Sequence, residues 1–410
     1  MVNTGDTAWL LMSSALVMLM TPGLALFYGG MVRRKNLLST MMMSFACLGL
    51  VGVLWVLYGY SLSFGTDHGG IIGGFNFLGL SNVGQDPSPT YATTVPHLAF
   101  MIFQAMFAII TVALFTGSIV ERVKFSALLV FSVLWLTVVY VPVAHWVWGS
   151  GGWLVKLGVL DFAGGTVVHI NAGVSALALA LLLGKRRGFP QDAMEPNNIP
   201  LVALGAGLLW FGWFGFNAGS ALTSGGLASS AFVATNTAAA AAAFTWMAIS
   251  WFHRRPTILG TVTGGVVGLV AITPAAGFVP PLAGIPIGIA AAAISYYGMV
   301  LLKIKLGFDD SLDVFACHGL GGIWGALATG IFASLAVNSA GADGLIAGNG
   351  MQLLKQLIGV ASVGAFSFGA TWVLGKLVDM TIGLRVGQME ETVGLDLSQH
   401  GERAYGGLLR

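Results

Sequence analysis

The chain has 410 residues, 56% hydrophobic and only 8% charged, with a formal net charge of +2. A soluble domain carries about 25% charged residues, so the composition excludes a soluble globular protein, and so small a net charge gives no reason to expect nucleic-acid binding. The stretches Pro196 to His253 and Pro256 to Leu302 contain no Asp, Glu, Lys or Arg, and each is long enough for two membrane helices of about 20 residues.

Breaks at charged or Pro/Gly-rich places predict about eleven spans, near 8–31, 39–62, 96–118, 126–147, 162–184, 199–218, 227–252, 257–277, 282–302, 314–335 and 354–378. The fold class is an all-α polytopic membrane protein, because the runs are continuous and a β-barrel would show short alternating segments. Met1 is followed by no basic segment, and the first apolar run exceeds a signal-peptide core, so it is kept as a span. Arg33-Arg34-Lys35, Arg122/Lys124, Lys185-Arg186-Arg187, Arg254-Arg255 and Lys303/Lys305 follow the odd-numbered spans up to the ninth. Arg385, Arg403 and Arg410 follow the eleventh, and only Lys156 and Lys355 fall on the other side. This alternation puts the N-terminus outside and the C-terminus in the cytoplasm. The chain then divides into a transmembrane domain, 1–380, and a cytoplasmic tail, 381–410. Repeat one covers about 8–184, repeat two about 199–335, and the last helix about 354–378.

Gly260, Gly264 and Gly268 form one ridge, and Gly284/Gly288 and Gly321/Gly325 repeat the same spacing. Small residues so placed let helix backbones approach closely; the alanine run 238–243 reads as packing surface in the same way. Cys47 and Cys317 lie in predicted spans and imply neither a disulfide framework nor a zinc cluster.

Two aspartate–histidine pairs share one spacing, Asp161-Phe-Ala-Gly-Gly-Thr-Val-Val-His169 and Asp310-Ser-Leu-Asp-Val-Phe-Ala-Cys-His318. The histidines are 149 residues apart. Five spans per repeat make the second copy inverted, a duplicated transport fold with its site on the pseudo-symmetry axis. Eight helical residues carry each histidine about 12 Å along its helix, so the two approach the midplane from opposite sides. A lone membrane histidine often does no more than bond helix to helix, but two matched ones point to a pathway. One imidazole of such a pair donates to the other or to a substrate, which suits a proton relay. Asp161 is open to two readings, a helix N-cap or a group acting directly on substrate. His68, His97, His145, His253 and His400 lie near loops or span ends.

Phe103 and Phe107 share a face of span three. Trp148 ends span four, and Phe216 and Ser220 end span six. All five fall in the outer half of the membrane, where they can form a cation–π vestibule followed by an apolar constriction.

At these residues the chain resembles the ammonium transporter family (Amt/Mep/Rh), prokaryotic Amt branch. The stretches that carry the resemblance are Asp161–Gly173, Trp213-Phe-Gly-Phe-Asn-Ala-Gly-Ser220, Asp313-Val-Phe-Ala-Cys-His-Gly319 and the tail Gly394-Leu-Asp-Leu-Ser-Gln-His-Gly-Glu-Arg-Ala-Tyr405. The resemblance covers essentially the whole chain. It implies a substrate-binding recruitment site of Phe103, Phe107, Trp148 and Ser220, with Asp161 as its associated acid. It also implies a gate of Phe107 and Phe216, a twin-histidine pore of His169 and His318, homotrimers with a pore in each protomer, and a PII-type signalling partner at the cytoplasmic face.

The expected function is ammonium transport across the cell membrane, with methylammonium as a possible analogue, no enzymatic activity and no cofactor or metal. Ammonium is close to potassium in size, but it has directional donors and a removable proton that aromatic faces and imidazoles can exploit. An intramembrane metalloenzyme would need a third ligand at metal spacing, and no HExxH pattern is present. An ammonium sensor acting through the tail, and a passive ammonia gas channel, remain as alternatives.

Overall fold

Inside a bilayer no water is available to backbone groups, so each apolar run closes its own hydrogen bonds as a helix. The computed structural model describes residues 1–406; Arg410, one of the basic residues on which the expected orientation rests, lies outside them. Ten helices among the described residues are long and apolar enough to cross a membrane. They are α1 (Thr4–Met31), α2 (Arg34–Phe64), α3 (His97–Thr116), α4 (Phe125–Leu157), α5 (Gly165–Leu183), α6 (Ile199–Gly219), α7 (Gly226–His253), α9 (Pro281–Lys305), α10 (Phe315–Phe332) and α11 (Gly350–Thr381). A shorter apolar helix, α8 (Ile258–Ile272), sits between α7 and α9. The protein is thus predominantly helical and multi-pass.

Two elements differ from the sequence expectation. The span expected over 257–277 stops as a helix at Ile272 and continues as turns. Pro274 brings no N–H and its ring crowds the preceding turn, which ends regular winding there. The segment α4 overshoots its expected end at 147: it runs to Trp148, breaks, and resumes over Trp153–Leu157.

Glycine decides how closely several helices approach. A Cβ on Gly268 of α8 would lie 2.5 Å from the Ala238 carbonyl oxygen, and one on Gly288 of α9 would lie 2.3 Å from the same atom. The alanine run of α7 is therefore wedged between α8 and α9, as its composition suggested. One such approach joins the two halves of the chain: a Cβ on Gly173 of α5 would come within 2.2 Å of the Gly319 nitrogen of α10. Only bare backbone fits there, and that contact draws the two histidine-bearing segments together.

The last membrane-length helix among the described residues, α11, runs beside α5 in a fixed register. Ser367 Oγ donates to Asn171 Oδ1 at 2.8 Å and Thr371 Oγ1 to Ser175 Oγ at 2.8 Å, both pairs separated by 196 residues. Trp135 Nε1 donates to both Ser175 and Thr371. Unpaired hydroxyls are costly at such depth, so these bonds fix the register of α11.

Between α2 and α3 lie two small antiparallel hairpins, β1 (Asp67–His68) with β2 (Ile72–Gly73) and β3 (Pro87–Ser88) with β4 (Ala92–Pro96). His145, fully buried, holds the first by facing the Ser63 carbonyl at 2.8 Å and Asp67 at 3.0 Å. His97 bonds the Tyr60 hydroxyl at 2.5 Å. Both histidines are structural.

The opposite face carries the tail, which forms two short helices, α12 (Gln388–Val393) and α13 (Leu395–His400). Lys35 Nζ donates to the Glu391 and Thr392 carbonyls, and the Asp396 carboxylate accepts from the Ser39 amide at 2.8 Å. Glu391 pairs with Arg385 at 2.8 Å. Tyr405 OH donates to Asn197, while Arg34 lies 4.9 Å from its ring centroid. Behind the tail is a buried charge cluster. Glu121 bonds Arg33 at 2.9 Å and Arg186 at 3.1 Å, and Arg186 bonds Asp309 at 2.8 Å. Burial pushes the Glu121 carboxyl up, but Arg186 and Arg33 together hold it below its ordinary value. Removing one member of such a cluster strands a buried charge, at a cost of about 3–5 kcal/mol.

Candidate transport site

The loop 158–164 delivers the first histidine. Asp161, 8% exposed, turns its carboxylate back on the chain: Oδ1 accepts from the amides of Gly164 and Gly165, both at 2.7 Å. Its Oδ2 accepts from the amides of Thr166 (2.8 Å) and Val167 (3.2 Å), and from the Thr166 hydroxyl. Of the two roles open to Asp161, this geometry is capping, and the carboxylate has no lone pair left facing a ligand. Its link to the aromatic cluster runs through backbone, since the Asp161 carbonyl accepts from Trp148 Nε1 at 2.9 Å.

The helix itself begins only after Gly164, whose φ of 110° suits a residue without a Cβ. His169 is therefore in the second turn of α5. The 12 Å of helix expected between Asp161 and His169 is absent, because a residue that caps with its side chain must stand outside the helix. The opening turns of α5 (Gly165–Ile170) and of α10 (Phe315–Leu320) are both wound as π-helix, and each contains its histidine. Such widened turns cost regular hydrogen bonding and recur at functional positions; hydropathy carries no signal for them. Asp310 is less completely used than Asp161. Its Oδ2 accepts from the Phe315 amide at 2.7 Å, its Oδ1 has no protein partner, and burial pushes it up to about 6.

The aromatic residues expected at one end of the membrane do come together. Phe103 and Phe107 are 4.9 Å apart between ring centroids, and Phe107 meets Trp148 edge-on at 5.8 Å. Phe107 and Phe216 lie 4.2 Å apart at 31°. A Cβ on Gly219 would come 3.0 Å from Phe103, which places the end of α6 beside this cluster. Ser220 donates its own proton to the Phe216 carbonyl at 2.8 Å, so its oxygen is left as an acceptor.

Beyond Phe216 the line continues to His169, 6.0 Å away between centroids, and then to His318 at 5.3 Å. The two Nδ1 atoms are 3.2 Å apart. Two lone pairs cannot face each other at that distance, so one Nδ1 carries hydrogen and the other accepts it. In a neutral pair this leaves one Nε2 as an acceptor and the other as a donor. The Nε2 of His169 is buried with no protein partner.

Both imidazoles line an enclosed cavity of about 10 Å³ with Leu24, Phe27, Trp213 and Phe216. That is about the room one water-sized molecule needs. His318 also lines a larger cavity of about 290 Å³ with Tyr28, Arg254 and Asp313, on the side of the tail. Narrow and wide spaces therefore meet at the second histidine.

Sequence reasoning gives Trp213 no role of its own. It stacks on His169 at 5.3 Å and 20°, and its Nε1 donates to Thr273 at 2.8 Å. Its spacing of three from Phe216 places both on one helix face, a signal available in the sequence. Among the described residues, no three His, Cys, Asp or Glu side chains converge as metal ligands.

A sequence model described as Ammonium Transporter Family matches residues 8–405. An ammonium transporter of Bacillus subtilis is 53% identical over 405 residues, covering 98% of this chain and 99% of the relative. Ammonium transporter Amt1 of Archaeoglobus fulgidus is also 53% identical, covering 98% of this chain and all of the relative. The crystal structure of Candida albicans Mep2 superposes with a TM-score of 0.90 at 38% identity, covering 98% of this chain and 90% of that one.

Proposed function

Because the chain belongs to the ammonium transporter family, we propose that it captures ammonium at the Phe103–Phe107–Trp148–Ser220 cluster and conducts ammonia, with a separately relayed proton, past His169 and His318. The observation that carries this reading is the unbroken line of rings from Phe107 through Phe216 to the imidazole pair.

The energetics favour splitting the cation. At the mouth, aromatic faces are worth about 0.5–2 kcal/mol to a cation, and the Ser220 oxygen can accept one of its N–H groups. Beyond the stacked phenyl rings, the apolar cavity offers two imidazoles in place of a hydration shell. An unpaired cation there costs several kcal/mol, whereas neutral ammonia costs far less. Ammonia has both donors and a lone pair, which match the one acceptor and one donor Nε2 of a neutral imidazole pair. Asp161 supports capture by fixing the loop and the carbonyl that holds Trp148.

Around this pore we assign two inverted five-helix repeats, about 8–184 and 199–335, and a last helix. The aromatic cluster faces outward and the tail inward, in a homotrimer of the cell membrane. The tail face, with α12 and α13 clasped to the start of α2, is the surface we assign to a PII-type partner. Proteoliposomes carrying the purified protein test the main claim: ammonium pulses should give a saturable current that rises with substrate flux across a pH series. Flux without current would make the protein a gas channel, and absence of both would leave the sensor reading.

A further inference from the structure

The loop that carries Asp161 is held from outside by α11, the last of the membrane-length helices among the described residues. Gln356 on α11, fully buried, grips both main-chain groups of Leu160. Its Oε1 accepts from the Leu160 amide at 2.7 Å, and its Nε2 donates to the Leu160 carbonyl at 2.7 Å. The same Nε2 donates to the Ala326 carbonyl of α10 at 3.1 Å. One turn earlier, Gln352, also fully buried, donates to the Gly158 carbonyl at 2.9 Å and to Gln356 Oε1 at 3.2 Å. One amide thus ties α11, the loop and α10 together, and only one orientation of it satisfies an N–H on one side and two carbonyls on the other.

The contact is close and in register. A Cβ on Gly359 would lie 3.0 Å from Val159, and the Gln356–Leu160 separation of 196 residues equals that of Ser367–Asn171 and Thr371–Ser175. The stripe along α11 therefore aligns the whole segment from Leu160 to Ser175, which contains Asp161 and His169. The next residue after the clamp is the one whose carbonyl accepts the Trp148 indole and whose carboxylate caps α5.

We infer that Gln356 is a positioning residue for substrate capture: it sets the height of the Asp161 carbonyl and thereby the angle at which Trp148 faces the vestibule. This rests on the recruitment role assigned to Trp148. Neither glutamine touches the rings or the histidines, so its effect falls on binding more than on passage.

The test measures ammonium-evoked currents from proteoliposomes of wild type, Gln356→Met, Trp148→Leu and the double variant. Gln356→Met keeps the side-chain length and removes all three bonds to the loop and α10. It should raise the concentration for half-maximal current about fivefold and change the maximal current less than twofold. In the Trp148→Leu background the same substitution should shift half-saturation less than twofold, because the residue it positions is gone. A merely structural role would give equal shifts in both backgrounds, and that result overturns the inference, as does unchanged half-saturation in Gln356→Met. If Trp148→Leu alone leaves half-saturation unchanged, the recruitment reading fails and this inference with it. Should Gln356→Met not assemble, Gln352→Met removes only the Gly158 bond and the support on Gln356. It should give about a twofold rise, and no rise there refutes the clamp.

Discussion

Replacing Asp161 with Asn separates a simple cap from the one this protein uses. At an ordinary helix N-terminus Asn and Asp cap about equally well, and on sequence grounds the Asn variant should keep the cap and lose only the charge. The structure argues otherwise. Oδ1 serves two amides and Oδ2 serves two more and a hydroxyl. An Asn can offer one oxygen to one set, and its NH₂ then faces the donors of the other. Two buried amides left unpaired cost about 1–3 kcal/mol each, or roughly 2–6 kcal/mol together, a large part of a typical total of about 5–15 kcal/mol. The Asp161→Asn protein in detergent should therefore unfold, by tryptophan fluorescence, several degrees below wild type. Half-saturation of any remaining transport should rise as Trp148 loses its anchor. Wild-type thermal stability in this variant would refute the five-bond cap as the reason the loop holds its shape.

Trp148→Leu and Ser220→Ala should each raise half-saturation for ammonium several-fold, with little change at saturating substrate, as read from uptake across a concentration series. The double substitution Phe107→Ala with Phe216→Ala removes rings 4.2 Å apart; it should let potassium leak, and unchanged selectivity in a paired flux and leak assay would argue against an apolar gate. Because Glu121 is held below its ordinary value of 4.5, its stabilising contribution is present above that pH and lost as pH falls through its lower folded value. Limited proteolysis should accordingly cut the loops around Arg33 and Arg186 more readily as pH falls below 4.5, and Glu121→Gln should loosen them already at pH 7.

How much of this was legible beforehand varies with the kind of interaction. Hydropathy located the helices because burial in lipid is written into composition, and the matched spacing of Asp161/His169 and Asp310/His318 singled out two side chains that stand 3.2 Å apart. The aromatic cluster followed from helix phase. What remained hidden depends on backbone detail: the π-wound turns at both histidines, the saturation of Asp161, and the end of α8 before Pro274. Gln352 and Gln356 gave no signal, since their partners are main-chain atoms almost 200 residues away. The cluster of Arg33, Glu121, Arg186 and Asp309 was hidden for a related reason: basic residues near span ends read as orientation signals, and pairing across four inter-helix segments cannot be inferred from their positions.

The imidazole pair is where the account is most exposed. In the mechanism proposed above, one Nδ1 donates to the other, the Nε2 atoms receive ammonia and the proton travels separately, so losing either ring would break the charge-carrying path. Solid-supported-membrane recordings on His169→Ala and His318→Ala proteoliposomes, beside wild type at matched protein density, measure this directly. The account predicts that ammonium-selective current is abolished in both variants; currents of wild-type size and selectivity in both would contradict it.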